Sequence, residues 1–201
     1  MIRVLVAEDQ TMVRGALRAL LDLEDDLEVV AEVGRGDEVV DAAREHRPDV
    51  ALLDIEMPGG DGLEAARALA VAVPGCRAVV LTTFGRPGFL RRAMEVGASG
   101  FLVKDAPVAD LARAIRSVMA GERVIDRDLA AAALAIGATP LSAREADVLR
   151  AAAGGATVAD IAAQLFLSEG TVRNYLSSAM GKTGARTRVE AARVAQEKGW
   201  L

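Results

Sequence analysis

Through the first 120 residues, short runs rich in Val, Leu and Ala alternate with longer amphipathic stretches, and this alternation constrains the fold more than any other feature of the chain. The runs are Arg3–Ala7, Glu28–Glu32, Asp49–Asp54, Ala78–Thr83 and Ser99–Val103, each bounded by turn or charged residues, as strands are. Between them lie helical patterns at roughly Thr11–Leu23, Gly36–His46, Gly62–Ala72, Pro87–Val96 and Pro107–Met119. Strand–helix alternation of this kind predicts right-handed crossovers and a doubly wound parallel α/β sheet covered on both faces. The domain ends near Gly121.

A different pattern follows. Residues 122–139, with the Ala-rich stretch Asp126–Ile136 and then Gly137 and Pro140, read as a partly helical linker. Ser142-Ala-Arg-Glu145 has capping-box spacing and opens a helix over about Ala143–Ala153, stopped by Gly154-Gly155. Thr157, Ser168 and Thr187 each precede a further helical pattern. Residues 140–201 are therefore expected to form an all-α domain of four short helices.

Charge separates the two parts. Residues 1–139 carry 16 Lys+Arg against 23 Asp+Glu, a net of −7, and residues 140–201 carry 8 against 6, a net of +2. The second part suits an anionic partner better than the first. One cysteine, Cys76, excludes an internal disulfide, and one histidine, His46 beside Pro48, leaves no His-rich metal site. The start, MIRVLVAEDQ, has no export-signal pattern, and no run of about 18 apolar residues occurs, so a cytoplasmic protein is expected.

In an open parallel sheet, ligands bind beyond the carboxyl ends of the strands. There the chain places Glu8 and Asp9 after the first strand, Asp54 at the end of the third, Thr82 at the end of the fourth and Lys104 after the fifth. Three carboxylates crowded into one cleft repel unless a cation compensates, so the cluster predicts a metal. With oxygen donors alone on offer, Mg²⁺ fits best. The Lys104 ammonium would pair with Asp54 or with phosphoryl oxygens, and the Thr82 hydroxyl could donate to another such oxygen. The cleft suits phosphoryl chemistry.

The segments "VAEDQTMVR", "LLDIEMPGGDG", "VVLTTF" and "ASGFLVKDA" resemble the receiver domain of bacterial two-component response regulators over essentially all of residues 1–120. The resemblance implies strand order 2-1-3-4-5, Asp54 as phosphoryl acceptor, and Glu8 and Asp9 as Mg²⁺ ligands with the Glu56 backbone carbonyl. It implies that Thr82 and Lys104 hold phosphoryl oxygens, and that Thr82 and Phe101 form the switch. Two positions depart from the common pattern: Glu8 where many relatives have Asp, and Asp105 where proline often follows the lysine.

From Ser168 onward, Val172, Leu176, Ala179 and Met180 fall on one side of a helix. The other side offers Arg173, Asn174 and Ser177 among small residues. Such a helix can enter the DNA major groove, about 12 Å wide, where Arg pairs with guanine and Asn with adenine. Preceded by a helix to Leu165 and a turn at Phe166-Leu167, it completes a helix-turn-helix. Ser168 and Thr171 at its N-terminus suit a phosphate, as do the cations Lys182, Arg186 and Arg188 further along. The pattern alone equally allows a plain helical bundle with a solvated face. Residues 141–200 resemble the LuxR-type DNA-binding domain, most specifically at "LSARE", "SEGTV" and "EAA". Receiver plus this domain resembles the NarL/FixJ class of response regulator. Within it, "SEGTVRNYLS" and "EKGW" are similar to the DesR-type branch, whose members partner a membrane histidine kinase.

Those resemblances imply a transcription regulator that takes a phosphoryl group from a sensor histidine kinase, dimerises and binds paired DNA half-sites. An aspartate-nucleophile phosphatase would need Asp where Glu56 stands and a cap domain that this chain lacks, so no enzyme is expected beyond self-phosphorylation and dephosphorylation. A regulator independent of phosphorylation is the alternative, although neither acceptor nor lysine is lost. The first and fifth helices are apolar over more than one stripe. That breadth, with the DesR-type resemblance, predicts a receiver homodimer through Val13, Leu17, Leu111, Ile115 and Val118, with Val13 and Val118 as outer positions.

Overall fold

A computed structural model describes residues 1–83, 87–104, 108–137 and 139–201. Asp105 and the Val108 side chain lie outside the described residues. The chain forms two compact units, one of residues 1–85 with 92–130 and one of residues 86–91 with 131–201.

Up to residue 125 the chain forms β1 (Ile2–Ala7), α1 (Thr11–Leu21), β2 (Leu27–Val33), α2 (Val39–His46), β3 (Val50–Asp54), α3 (Gly62–Ala72), β4 (Arg77–Thr82), α4 (Pro87–Glu95), β5 (Gly100–Val103), α5 (Val108–Met119) and β6 (Val124–Ile125). A single 3₁₀ turn, Gly36–Glu38, precedes α2. The sheet is parallel in the order β2-β1-β3-β4-β5-β6. The expected order is found with one strand more. That strand pairs Val124 with Gly100 and Ile125 with Phe101, inside the segment read as linker. Two residues are too few to carry a strand pattern, so the sequence alone did not reveal it.

Alternation along the strands sorts the core into two layers. Val4, Val6, Leu52, Val79 and Leu81 face Leu21 of α1 and Leu111, Ile115 and Val118 of α5. Leu5, Ala7, Ala51 and Leu53 face Val39 and Ala43 of α2 and Ala65, Ala66 and Leu69 of α3. Each fully buried Val or Leu contributes about 1.5–3 kcal/mol of transfer free energy, which is what holds the helices to the sheet.

This layering corrects part of the expected dimer surface. Leu111, Ile115 and Val118 are 9%, 0% and 0% exposed, packed against the sheet, so Val118 is not an outer position. Alanines at positions 112 and 114 widen the apolar stripe of α5 without carrying it to solvent. Val13 and Leu17 are half-buried. With Ala16 and Leu20 they line an apolar cleft of about 190 Å³ between α1 and α5.

Helix α6 (Arg127–Ile136) leads to α7 (Ala143–Ala153), α8 (Val158–Leu165), α9 (Glu169–Thr183) and α10 (Arg188–Glu197). Ser142 and Glu145 complete the anticipated capping box of α7, and Thr157 with Asp160 completes one on α8. Ser168 and Thr187 cap α9 and α10 by accepting from Thr171 N and Glu190 N. The helices close over Val148, Leu149, Ile161, Val172, Leu176, Ala179, Ala191 and Ala195. Among the described residues, no helix is long and apolar enough to cross a membrane.

Candidate functional site

Strand register brings the five anticipated residues to one edge. Ala7 pairs with Leu53, so Glu8 follows beside Asp54; Asp54 pairs with Leu81, and Thr82 with Val103. Lys104 N donates to Thr82 O at 2.8 Å, extending the ladder by one bond. Carboxylate oxygens of Glu8, Asp9 and Asp54 all lie within 4.8 Å of one another.

Burial distinguishes the three acids. Glu8 is wholly buried, Asp54 is 5% exposed and Asp9 is exposed. Lys104 Nζ stands 2.6 Å from Glu8 Oε2 and 2.9 Å from Asp54 Oδ1. Burial pushes the Glu8 carboxyl up, and the Asp54 charge adds to this, while the Lys104 hydrogen bond opposes both. Burial disfavours the Lys104 charge, but its bonds to Glu8 and Asp54 outweigh that and hold its pKa above the ordinary lysine value.

The loop after β3 is held by close backbone approach. Asp54 Oδ1 accepts from Ile55 N at 2.8 Å, and Ile55 O accepts from Gly62 N at 3.0 Å. A Cβ on Gly62 would meet the Asp54 carbonyl oxygen at 1.9 Å, and one on Gly36 would meet the Gly60 carbonyl oxygen at 2.0 Å. Gly59, at φ +78°, adopts the left-handed backbone that glycine favours. Glu56 sits in this loop, so its carbonyl belongs to the turn immediately beyond Asp54. Phe101 is fully buried.

Hard oxygen donors from three side chains, packed closely enough for one ion, fit Mg²⁺. Lys104 already supplies one positive charge to that cluster. Cys76 is no rival nucleophile: burial and the charge of Asp49 push its thiol up to about 12.

In the second unit, Arg173, Asn174 and Ser177 are exposed on α9, opposite its buried stripe. Phe166 takes a left-handed conformation at φ 55° to make the turn before it. Ser168 Oγ lies 2.8 Å from Thr171 Oγ1, so both hydroxyls present together at the helix N-terminus. The cations are less free than their sequence positions imply. Arg173 pairs with Glu169 one turn earlier, Lys182 Nζ lies 2.6 Å from Glu145, and the Arg188 guanidinium donates to Ala156 O. Glu169–Arg173 was legible as an i,i+4 pair. Glu145 was legible only as a cap, since nothing local ties it to residues 33 and 37 positions away.

Residues 4–116 match the response regulator receiver domain, and residues 139–195 match the bacterial regulatory proteins of the luxR family. The chain is 46% identical over 201 residues to the transcriptional regulatory protein DesR of Bacillus subtilis (strain 168), covering 100% of both. It is 37% identical over 206 residues to the DNA-binding transcriptional activator DevR/DosR of Mycobacterium tuberculosis, covering 98% of this chain and 95% of that one. Among solved structures it is similar to RcsB of Salmonella enterica serovar Typhimurium bound to a promoter in the presence of the phosphomimetic BeF₃⁻, at 25% identity and TM-score 0.73, covering 98% of each. With an acidic cleft at the end of a parallel sheet and a helix-turn-helix in the second unit, the chain belongs to the NarL/FixJ-class response regulators and is a phosphorylation-regulated, DNA-binding transcription regulator.

Proposed function

We propose that Asp54 accepts a phosphoryl group from the phosphohistidine of a sensor histidine kinase in the cytoplasm. The observation that carries this reading is the Lys104 ammonium between Glu8 and Asp54, a cation placed where new phosphoryl charge would arrive. An Asp54 carboxylate oxygen attacks phosphorus, the P–N bond breaks, the imidazole leaves, and an acyl phosphate remains. Glu8, Asp9, Asp54 and the Glu56 carbonyl would hold Mg²⁺, which supplies charge neutralisation at the transferring group. Because Asp54 is nearly buried beneath Lys104, the ammonium must swing from carboxylate to phosphoryl oxygens as the group enters. The Thr82 hydroxyl then donates to a second oxygen, and Phe101 on the neighbouring strand reads the inward movement as the switch.

Activated receivers pair through α1 and α5. The outer positions for this are Met12, which is 87% exposed, Val13, Ala16 and Leu20, rather than Val118. Paired second units then read two DNA half-sites, with Arg173, Asn174 and Ser177 at base edges and Ser168 and Thr171 at phosphate.

Labelling by acetyl phosphate tests the acceptor. Asp54→Asn should abolish Mg²⁺-dependent labelling while thermal unfolding remains cooperative. Undiminished labelling of that variant would overturn the assignment.

A further inference from the structure

We infer that Glu145 is a positioning residue for DNA recognition, setting the roll of α9 through Ser178 and Lys182; the inference rests on α9 being the helix that meets the bases. Glu145 is 5% exposed and is the one charged residue found buried in the second unit among the described residues. As a cap of α7 it needs only the bond from Ser142 N to Oε2, at 2.6 Å. It makes two bonds more. Ser178 Oγ donates to Oε1 at 2.6 Å, and Lys182 Nζ donates to Oε2 at 2.6 Å. These donors are one helical turn apart on α9, so a single carboxylate grips two successive turns of that helix and ties them to the first turn of α7.

The grip matters because the rest of the α9 seam is apolar: Val172, Leu176 and Ala179 are buried and Tyr175 and Met180 pack half-buried beside them, contacts that carry no directional bond. A roll of about 10° moves a side-chain tip some 6 Å from the axis by about 1 Å. That is enough to break a base contact held between 2.7 and 3.2 Å. Ser178 adjoins Ser177, and Lys182 lies two turns beyond Asn174, so the bonds act on the segment that carries the reading side chains. Lys182, neutralised by Glu145, serves this brace instead of adding a phosphate contact.

The test uses the full-length chain with two 30-bp duplexes, one recovered from random DNA by selection with the wild-type protein and one of random sequence. Glu145→Gln and Lys182→Gln should each weaken the selected duplex by about tenfold, leave random-duplex binding no weaker than wild type, and together lose no more than the worse single variant, as coupled neighbours do. The dependence of log affinity on log salt should keep its wild-type slope in Lys182→Gln. Losses that multiply in the double variant, or a Lys182→Gln slope shallower by about 0.9, would make Lys182 an ordinary phosphate contact and overturn the brace. Wild-type affinity of Glu145→Gln for the selected duplex would overturn it as well. Asn174→Ala is measured alongside: if it binds both duplexes as the wild type does, the reader-helix reading fails and takes the brace with it, whereas selective loss in Asn174→Ala alone removes only the brace. Should Glu145→Gln fail to unfold cooperatively, Ser178→Ala removes one bond without stranding a charge and should show the same selective loss; its absence overturns the proposal.

Discussion

Lys104 Nζ lies 2.9 Å from Asp54 Oδ1, so the carboxylate proposed as acceptor is already paired with a cation that also holds Glu8. Removing that ammonium leaves two buried carboxylates with no other positive partner among the described residues, which costs about 3–5 kcal/mol for a buried pair broken on one side. Lys104→Met should therefore unfold at lower temperature in metal-free buffer. Added Mg²⁺ should raise its unfolding temperature by more than it raises that of the wild type, because the cluster then lacks any other cation. Calorimetry with and without Mg²⁺ measures both effects, and equal increments would mean that the carboxylates do not share one ion. The same variant should still label with acetyl phosphate yet gain no DNA affinity from labelling.

Gly62 and Gly15 make an opposed pair. A methyl on Gly62 runs into the Asp54 carbonyl, whereas one on Gly15, exposed in the middle of α1, meets nothing within 4 Å. Gly62→Ala should lower the unfolding temperature and slow Asp54 labelling together, since relieving the contact displaces the acceptor's own backbone. Gly15→Ala should stabilise by about 0.5–1 kcal/mol through the helix preference for alanine. Unfolding curves and labelling rates on both variants decide the matter.

Val13→Asp and Val118→Asp should fail in different ways. The first places charge on a half-buried position lining the α1/α5 cleft and should prevent phosphorylation-driven dimers in sedimentation while Asp54 labelling persists. The second buries a charge at a site with no exposure and should unfold the receiver, at a cost of about 3 kcal/mol or more. Persisting dimers in Val13→Asp would move the interface off α1.

Acid should loosen the second unit before it reaches the helix caps' limits. Burial opposes the charge of Glu145, but Lys182, Ser178 and the Ser142 N–H prevail and bring its pKa from an ordinary 4.5 down to about 2. A depressed pKa stabilises fully above the unfolded value, so this contribution is intact above about pH 4.5 and disappears as pH falls from there toward 2. Asp160, lowered by its bonds from Thr157, acts in the same direction. Fluorescence of the single Trp, Trp200, followed through thermal unfolding at stepped pH, should show midpoints falling below pH 4.5 in the wild type and much less so in Glu145→Gln.

Much of the acidic cleft could be seen in the sequence because a parallel sheet sends every strand end to the same edge, and Glu8, Asp54, Thr82 and Lys104 each terminate an apolar run. What could not be seen is depth. Asp54 ends its strand at the open edge of the sheet yet is nearly buried, because Lys104 and the loop through Ile55 and Gly62 close over it. Periodicity likewise counted Leu111, Ile115 and Val118 as apolar without telling which neighbour they meet. Glu145 shows the limit most plainly: its cap spans three residues and was readable, while its hold on Ser178 and Lys182 exists only once α7 and α9 have packed.

The two-residue strand β6 decides where the leash between the units begins. While Val124 and Ile125 stay zipped to Gly100 and Phe101, the leash starts at Ile125, paired across the ladder with Phe101 of β5. Were those residues to unzip, it would start at the end of α5, at Met119, and lengthen by the six residues 120–125, about 20 Å of added reach at full extension. So short a seam makes the start of the connection a dependent of β5: wherever Gly100 and Phe101 are held, Val124 and Ile125 are held with them.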